Sequence, residues 1–186
     1  YLALDYVQGE PITEYARKLS LPAHDRLRLF LQVCAAVSHA HANLVVHRDL
    51  KPSNIMVTPA GEVCLLDFGI AKLLDESTDG QGEITGTGTR AFTLHYAAPE
   101  QIRGEELDGR SDVFNLGIIL WEWLAGTTAF HRDDPVEAGR DITSGNLTPL
   151  REHRPDVPEA LDKIVKRALA VDRDQRYPTA SAMQLE

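Results

Sequence analysis

His47-Arg48-Asp49-Leu50-Lys51-Pro52-Ser53-Asn54 begins a stretch that closes at Asp67-Phe68-Gly69. Between these two runs, residues 53–58 read as an apolar strand, Pro59-Ala60-Gly61 as a turn and residues 63–66 as the returning strand. A hairpin of that form carries Asp49, Lys51 and Asn54, at its entry, back to Asp67 at its exit. Two carboxylates, a carboxamide and an ammonium then gather at one end of a two-stranded platform. Oxygen ligands of this kind suit Mg²⁺, which takes carboxylate or carbonyl oxygens together with those of a phosphate.

The chain around this stretch reads as one domain. Its 186 residues, 43% of them hydrophobic, suffice for a substantial core. A formal net charge of −9 argues against nucleic acid as a partner, which calls for a basic face. Cys34 and Cys64 stand apart, each inside an apolar run, and read as two buried thiols of a reducing compartment. No apolar run reaches membrane-spanning length and no signal peptide is visible, so the expected location is the cytoplasm, with room for a membrane anchor beyond Glu186.

The helices announce themselves by period. Residues 12–19 form a short helical stretch. Residues 23–42 form a long amphipathic one behind Pro22, with Leu27, Phe30, Leu31, Cys34, Val37 and Ser38 recurring at helical spacing. His39 and His41, two apart, point to different faces and read as core or surface histidines. Residues 110–126 carry a stripe of Val113, Leu116, Gly117, Leu120, Trp121 and Leu124 too broad for a surface helix, which predicts a central buried one. Asp112 lies in its first turn, where the helix dipole favours a carboxylate. Residues 135–142 and 158–170 read as further helices, and Asp172 to Pro178 as a charged turn before a last one.

His47 to Asn54 is similar to the catalytic loop of protein kinases, Asp67-Phe68-Gly69 to their metal-binding motif, and Ala98-Pro99-Glu100 to the motif that closes their activation segment. Three motifs in this order make the chain resemble a serine/threonine protein kinase of the bacterial branch. The resemblance implies a fold that is mainly α with a small β-hairpin, the large lobe of a kinase. Residues 1–11 would be the hinge, 12–66 the first helices and the catalytic loop, 67–100 the activation segment, and 101–186 the remaining helices. The glycine-rich loop, strand lysine and helix glutamate of a kinase do not occur in these residues. Gly80-Gln81-Gly82 and Gly86-Thr87-Gly88 follow the Asp-Phe-Gly motif and lack a Lys-Ser/Thr, so they are no phosphate loop. The expectation is a large lobe cut at the hinge and nearly inactive by itself.

The implied reaction is transfer of a phosphoryl group from ATP to Ser or Thr of protein substrates, the kinase itself among them. By resemblance Asp49 takes the acceptor proton, Lys51 neutralises the moving phosphoryl group, and Asn54 with Asp67 holds Mg²⁺. Leu4 would be the gatekeeper, Asp5 and Val7 would face adenine with their backbone, Glu10 would reach the ribose, and Met56 would lie under the base. Arg48 beside Asp49 suits an anion such as phosphothreonine arriving from the polar segment 70–96, with Ser77, Thr78, Thr85, Thr87 and Thr89 as candidates. Thr93 would bridge Asp49 and Lys51, and Tyr96 would be the segment's usual aromatic. Phe92 stands where the family has Gly, which changes how the residue next to the acceptor is read. His47 and Phe68 would join the apolar column beside the site, Asp112 would anchor the loop backbone, and Arg176 would pair with Glu100. Two rivals exist. A small-molecule phosphotransferase shares the charged positions but has no use for the segment ending at Glu100; a non-catalytic scaffold finds no altered catalytic position to support it.

Overall fold

Pro22 and Pro52 punctuate the first half of the chain, and the computed structural model shows what each one ends. It describes residues 7–68, 94–130, 132 and 134–186. Strand β1 (Glu10–Pro11) runs directly into helix α1 (Ile12–Lys18). Helix α2 (Ala23–Ala42) begins right after Pro22, whose extended backbone and missing N–H suit a helix start. Its buried face is Leu29, Phe30, Val33, Cys34, Val37 and Ala40. Leu31, expected inside, is 42% exposed, because the core side of α2 is set by its packing on strand β3 and on the last helix rather than by α2 alone.

After the loop that contains Asp49, Pro52–Asn54 forms a single 3-10 turn, then β2 (Ile55–Val57) and β3 (Val63–Leu65) make the expected hairpin. It is shorter than the sequence suggests, since Ser53 and Asn54 belong to the 3-10 turn that Pro52 opens, although the Asn54 carbonyl still accepts from the Leu66 N–H across the hairpin. The register pairs Ile55 with Leu65, Met56 with Cys64 and Val57 with Val63. The platform is also three-stranded, not two: Glu10 and Pro11 pair with Val57 and Met56. Gly9 allows this, since a Cβ there would lie 2.7 Å from the Val57 carbonyl oxygen. Cys64 is only half-buried, unlike Cys34, whose thiol burial pushes up to about 12.

Helix α3 (Pro99–Arg103) follows Ala98, and α4 (Gly109–Ala125) is the axis of the molecule. The Asp108 side chain caps α4 by accepting from the Arg110 N–H, and Gly126 ends it at φ 76°. Every residue from Ser111 to Trp121 is buried, as the broad stripe predicts. Helices α5 (Pro135–Ser144), α6 (Leu150–His153), α7 (Glu159–Ala168) and α8 (Ala180–Gln184) complete the described fold. At Gly117 a Cβ would come within 2.9 Å of the Ala168 Cβ, so α7 rests on the bare backbone of α4. Among the described residues no helix is long and apolar enough to cross a membrane.

Candidate active site

The loop that leaves α2 is held from below by one carboxylate. Asp112 Oδ2 accepts from the His47 N–H at 2.8 Å and Oδ1 from the Arg48 N–H at 3.0 Å. His41 Nε2 donates to the same Oδ2 at 2.8 Å. On the other side the Gln101 side-chain N–H donates to the Arg48 carbonyl at 2.7 Å, while its Oε1 accepts from Ala98 N–H. Arg48 thus has both faces of its peptide fixed, and it adopts φ 66°, a left-handed conformation that a non-glycine residue keeps only where its surroundings enforce it. His39, by contrast, is exposed.

His47 is buried and its Nε2 lies 2.9 Å from the Leu66 carbonyl. A carbonyl only accepts, so the proton sits on Nε2 and Nδ1 faces the Asp49 N–H at 3.4 Å. Burial pushes the imidazole below its ordinary value, against the pull of Asp112. The ring also meets Phe68 at 4.7 Å between centroids. His47 therefore stitches the loop to the strand end from which Asp67 projects.

The charged groups converge as follows. Lys51 Nζ lies 2.9 Å from Asp49 Oδ2. Asn54 Nδ2 donates to the Asp49 carbonyl at 2.9 Å and to its Oδ2 at 3.2 Å. The Leu66 N–H donates to the Asn54 carbonyl at 2.9 Å, which draws Asp67 alongside. Asp67 is exposed and takes φ 51°, the second left-handed non-glycine residue of the site. Asn54 turns its N–H₂ to Asp49, so its Oδ1 and the Asp67 carboxylate are the oxygens that would suit a hard cation. Among the described residues no three His, Cys, Asp or Glu side chains gather to hold a metal. That donor set fits Mg²⁺ held by one or two side chains and a phosphate, not a cage made by protein alone.

Further out, Arg176 forms a two-pronged pair with Glu100, Nη1 to Oε1 at 2.7 Å and Nη2 to Oε2 at 2.8 Å, both side chains buried. Ser111 Oγ donates to Oε1 at 2.7 Å. Burial alone would raise the Glu100 carboxyl; the Arg176 and Ser111 hydrogen bonds outweigh it and hold the group below its ordinary value. Tyr96 donates its hydroxyl to Glu122 Oε2 at 2.6 Å, and the Ala129 N–H meets Oε1 at 3.0 Å. Burial raises both Tyr96 and Glu122.

Glu10 is ion-paired with Lys18 of α1. Val7 is half-buried, and Met56 is half-buried on β2 opposite Cys64. Leu4, Asp5, Ser77, Thr78, Thr85, Thr87, Thr89, Phe92 and Thr93 lie outside the described residues. His41 and Gln101 are the supports that sequence reasoning passed over. Their partners are 71 and 53 positions away, beyond any local spacing.

The profile of the protein kinase domain matches residues 1–186. The chain is 33% identical over its whole length to serine/threonine-protein kinase PknB of Mycobacterium leprae and 34% to serine/threonine-protein kinase PrkC of Bacillus subtilis. It is 36% identical over 98% of its length to tyrosine-protein kinase MasK of Myxococcus xanthus. It spans only 28–29% of the length of these relatives. With the profile matched from end to end and a loop, hairpin and buried helix arranged as described, the chain belongs to the protein kinase family.

Proposed function

We propose that this chain supplies the large-lobe half of a serine/threonine protein kinase active site. The observation that carries the reading is the Asp49–Lys51–Asn54 cluster, set on a loop whose backbone Asp112 and Gln101 hold from two sides. Phosphoryl transfer asks mostly for alignment and charge neutralisation, and a pre-fixed loop supplies alignment. Asp49 receives the proton of the acceptor hydroxyl as its oxygen bonds to the γ-phosphorus. The bond from that phosphorus to the bridging oxygen breaks, and ADP leaves with the electron pair. Lys51, 2.9 Å from Asp49, offsets the charge of the transferred group. Asn54 and Asp67 would hold Mg²⁺, which when bound neutralises the phosphate oxygens.

Relatives named for either kind of acceptor match the chain. Lys51, two positions after Asp49, favours Ser and Thr in this reading. Arg48 receives a phosphorylated residue of the activation segment, with Thr85, Thr87 and Thr89 the candidates. Residues 1–186 alone transfer phosphate very slowly, because they include no glycine-rich loop and no strand lysine to clamp it. The test is Asp49→Ala in the full-length protein, read with radiolabelled ATP and phosphoamino-acid analysis. Transfer to Ser or Thr should fall about 10²–10⁴-fold with an unchanged unfolding midpoint; turnover equal to the parent protein overturns the assignment.

A further inference from the structure

A cleft of about 1140 Å³ opens beside the catalytic loop, between α1, Lys51, the turn at Tyr96 and the end of α4. A second cavity of about 530 Å³ lies between the start of α2, the end of α4 and the chain entering α7. Arg26 and Trp123 line both, so these two side chains form the waist where the cavities meet.

The acids on the wall of the first cleft already have partners. Glu14 pairs with Arg17, and Glu122 accepts from Tyr96 and Ala129. Arg26 differs. Its Nε donates to the Leu21 carbonyl at 3.0 Å, which fixes a half-buried guanidinium at the waist. Among the described residues it has no carboxylate within ion-pair distance, and the neighbouring Asp25 turns to His24 and Arg28 instead. A cation in the first turns of α2 also faces the positive end of the helix dipole. Partial removal from water without a counter-charge is costly, so the site is complementary to an anion. The second cavity beside it has an apolar wall of Leu27, Leu120, Leu124, Val157 and Leu161, and the other charged groups that share its lining, Arg154 and Asp156, are ion-paired with each other.

We propose that this pair of cavities docks the protein substrate at a distance from its acceptor hydroxyl. An Asp or Glu of the substrate meets Arg26 over Trp123, and an apolar side chain beside that acid enters the second cavity. The proposal rests on the kinase reading above and adds to it the substrate class, an acceptor peptide carrying a remote acidic-apolar pair.

The full-length protein is to be assayed on a short acceptor peptide and on the same peptide extended at either end, through spacers of graded length, to a terminal Glu-Leu, Lys-Leu or Lys-Ser. A Glu-Leu extension should lower KM about tenfold at unchanged kcat. Arg26→Glu should abolish that gain and transfer it to Lys-Leu, and Arg26→Gln, the milder change, should lose it for both. The short peptide should be turned over alike by all three proteins. Equal KM for every extension overturns the docking role and leaves the kinase reading standing. Absence of transfer to any peptide overturns the kinase reading instead. A change of oligomeric state in Arg26→Glu with peptide KM unmoved assigns the cavities to a second copy of the chain and also overturns the proposal.

Discussion

Glu100 and Asp112 are both buried carboxylates anchored at the start of α4, yet they are satisfied in opposite ways. Glu100 meets a permanent cation, Arg176, whose remaining N–H groups reach the carbonyls of Ala170, Arg110 and Val171. Asp112 meets two main-chain N–H groups and one histidine. The first arrangement ties together chain segments 76 positions apart and works as a strut. The second fixes the backbone angles of the residue that precedes Asp49. A charge paired with a charge mainly secures the fold; a charge paired with backbone dipoles mainly secures a conformation.

Breaking the strut should have the largest effect. Arg176→Ala strands Glu100 in the interior and should lower unfolding free energy by about 3–5 kcal/mol, read by urea denaturation. Arg176→Met combined with Glu100→Gln should recover much of that loss, because neither partner is left as an unpaired buried charge. Asp112→Asn should sharpen the contrast. Its amide can accept from only one of the two N–H groups, so stability should fall by about 1–3 kcal/mol. Phosphoryl transfer, however, should fall about a hundredfold through misalignment of Asp49. A rate loss no larger than that of an equally destabilised strut variant would erase the distinction between the two regions.

His41→Ala removes one charge-assisted hydrogen bond from Asp112 and should cost about 1–2 kcal/mol, with a smaller rate loss than Asp112→Asn. The pH dependence should show the smallest effect and separate the regions by range. His47 is held below its ordinary 6.5 in the fold, so the unfolded chain binds the extra proton. Its contribution is therefore complete above about pH 6.5 and declines as pH falls through that value. Glu100 is held below its ordinary 4.5, so its contribution is complete above that value and is lost as pH falls through the lowered one. His47→Gln should flatten the upper step in stability against pH and leave the acid limb in place.

What could be read from the sequence follows the length of each signal. The 20 residues of α2 and 17 of α4 span several turns, so their apolar period fixes them to within a residue or two. The loop and the Asp-Phe-Gly run are contiguous, and a contiguous motif needs no fold to be seen. Strand β1 has two residues, one of them Pro, and exists because β2 offers it a partner. Helices α3 and α6, of five and four residues, are too short to show a period. The exposed Leu31 shows the same limit from the other side, since a face is core only where another element covers it. Asp112 was legible as a helix-start acid, but His41 and Gln101 act across the fold, and no local pattern records that.

Ser111 and Asp112 are consecutive, about 100° apart around α4, and Gly117 lies further along the same helix against Ala168. These three positions lock the rotational phase of the helix. Deleting one residue between Asp112 and Gly117 would turn the two anchors about 100° away from the seam with α7 and detach strut and loop in one event. Substitution can be absorbed one contact at a time, whereas a change of length cannot. In the descent of this lineage α4 should therefore vary in composition at constant length, and insertions should collect in connections such as the one between α4 and α5. Comparing gap positions across a set of related sequences would check this.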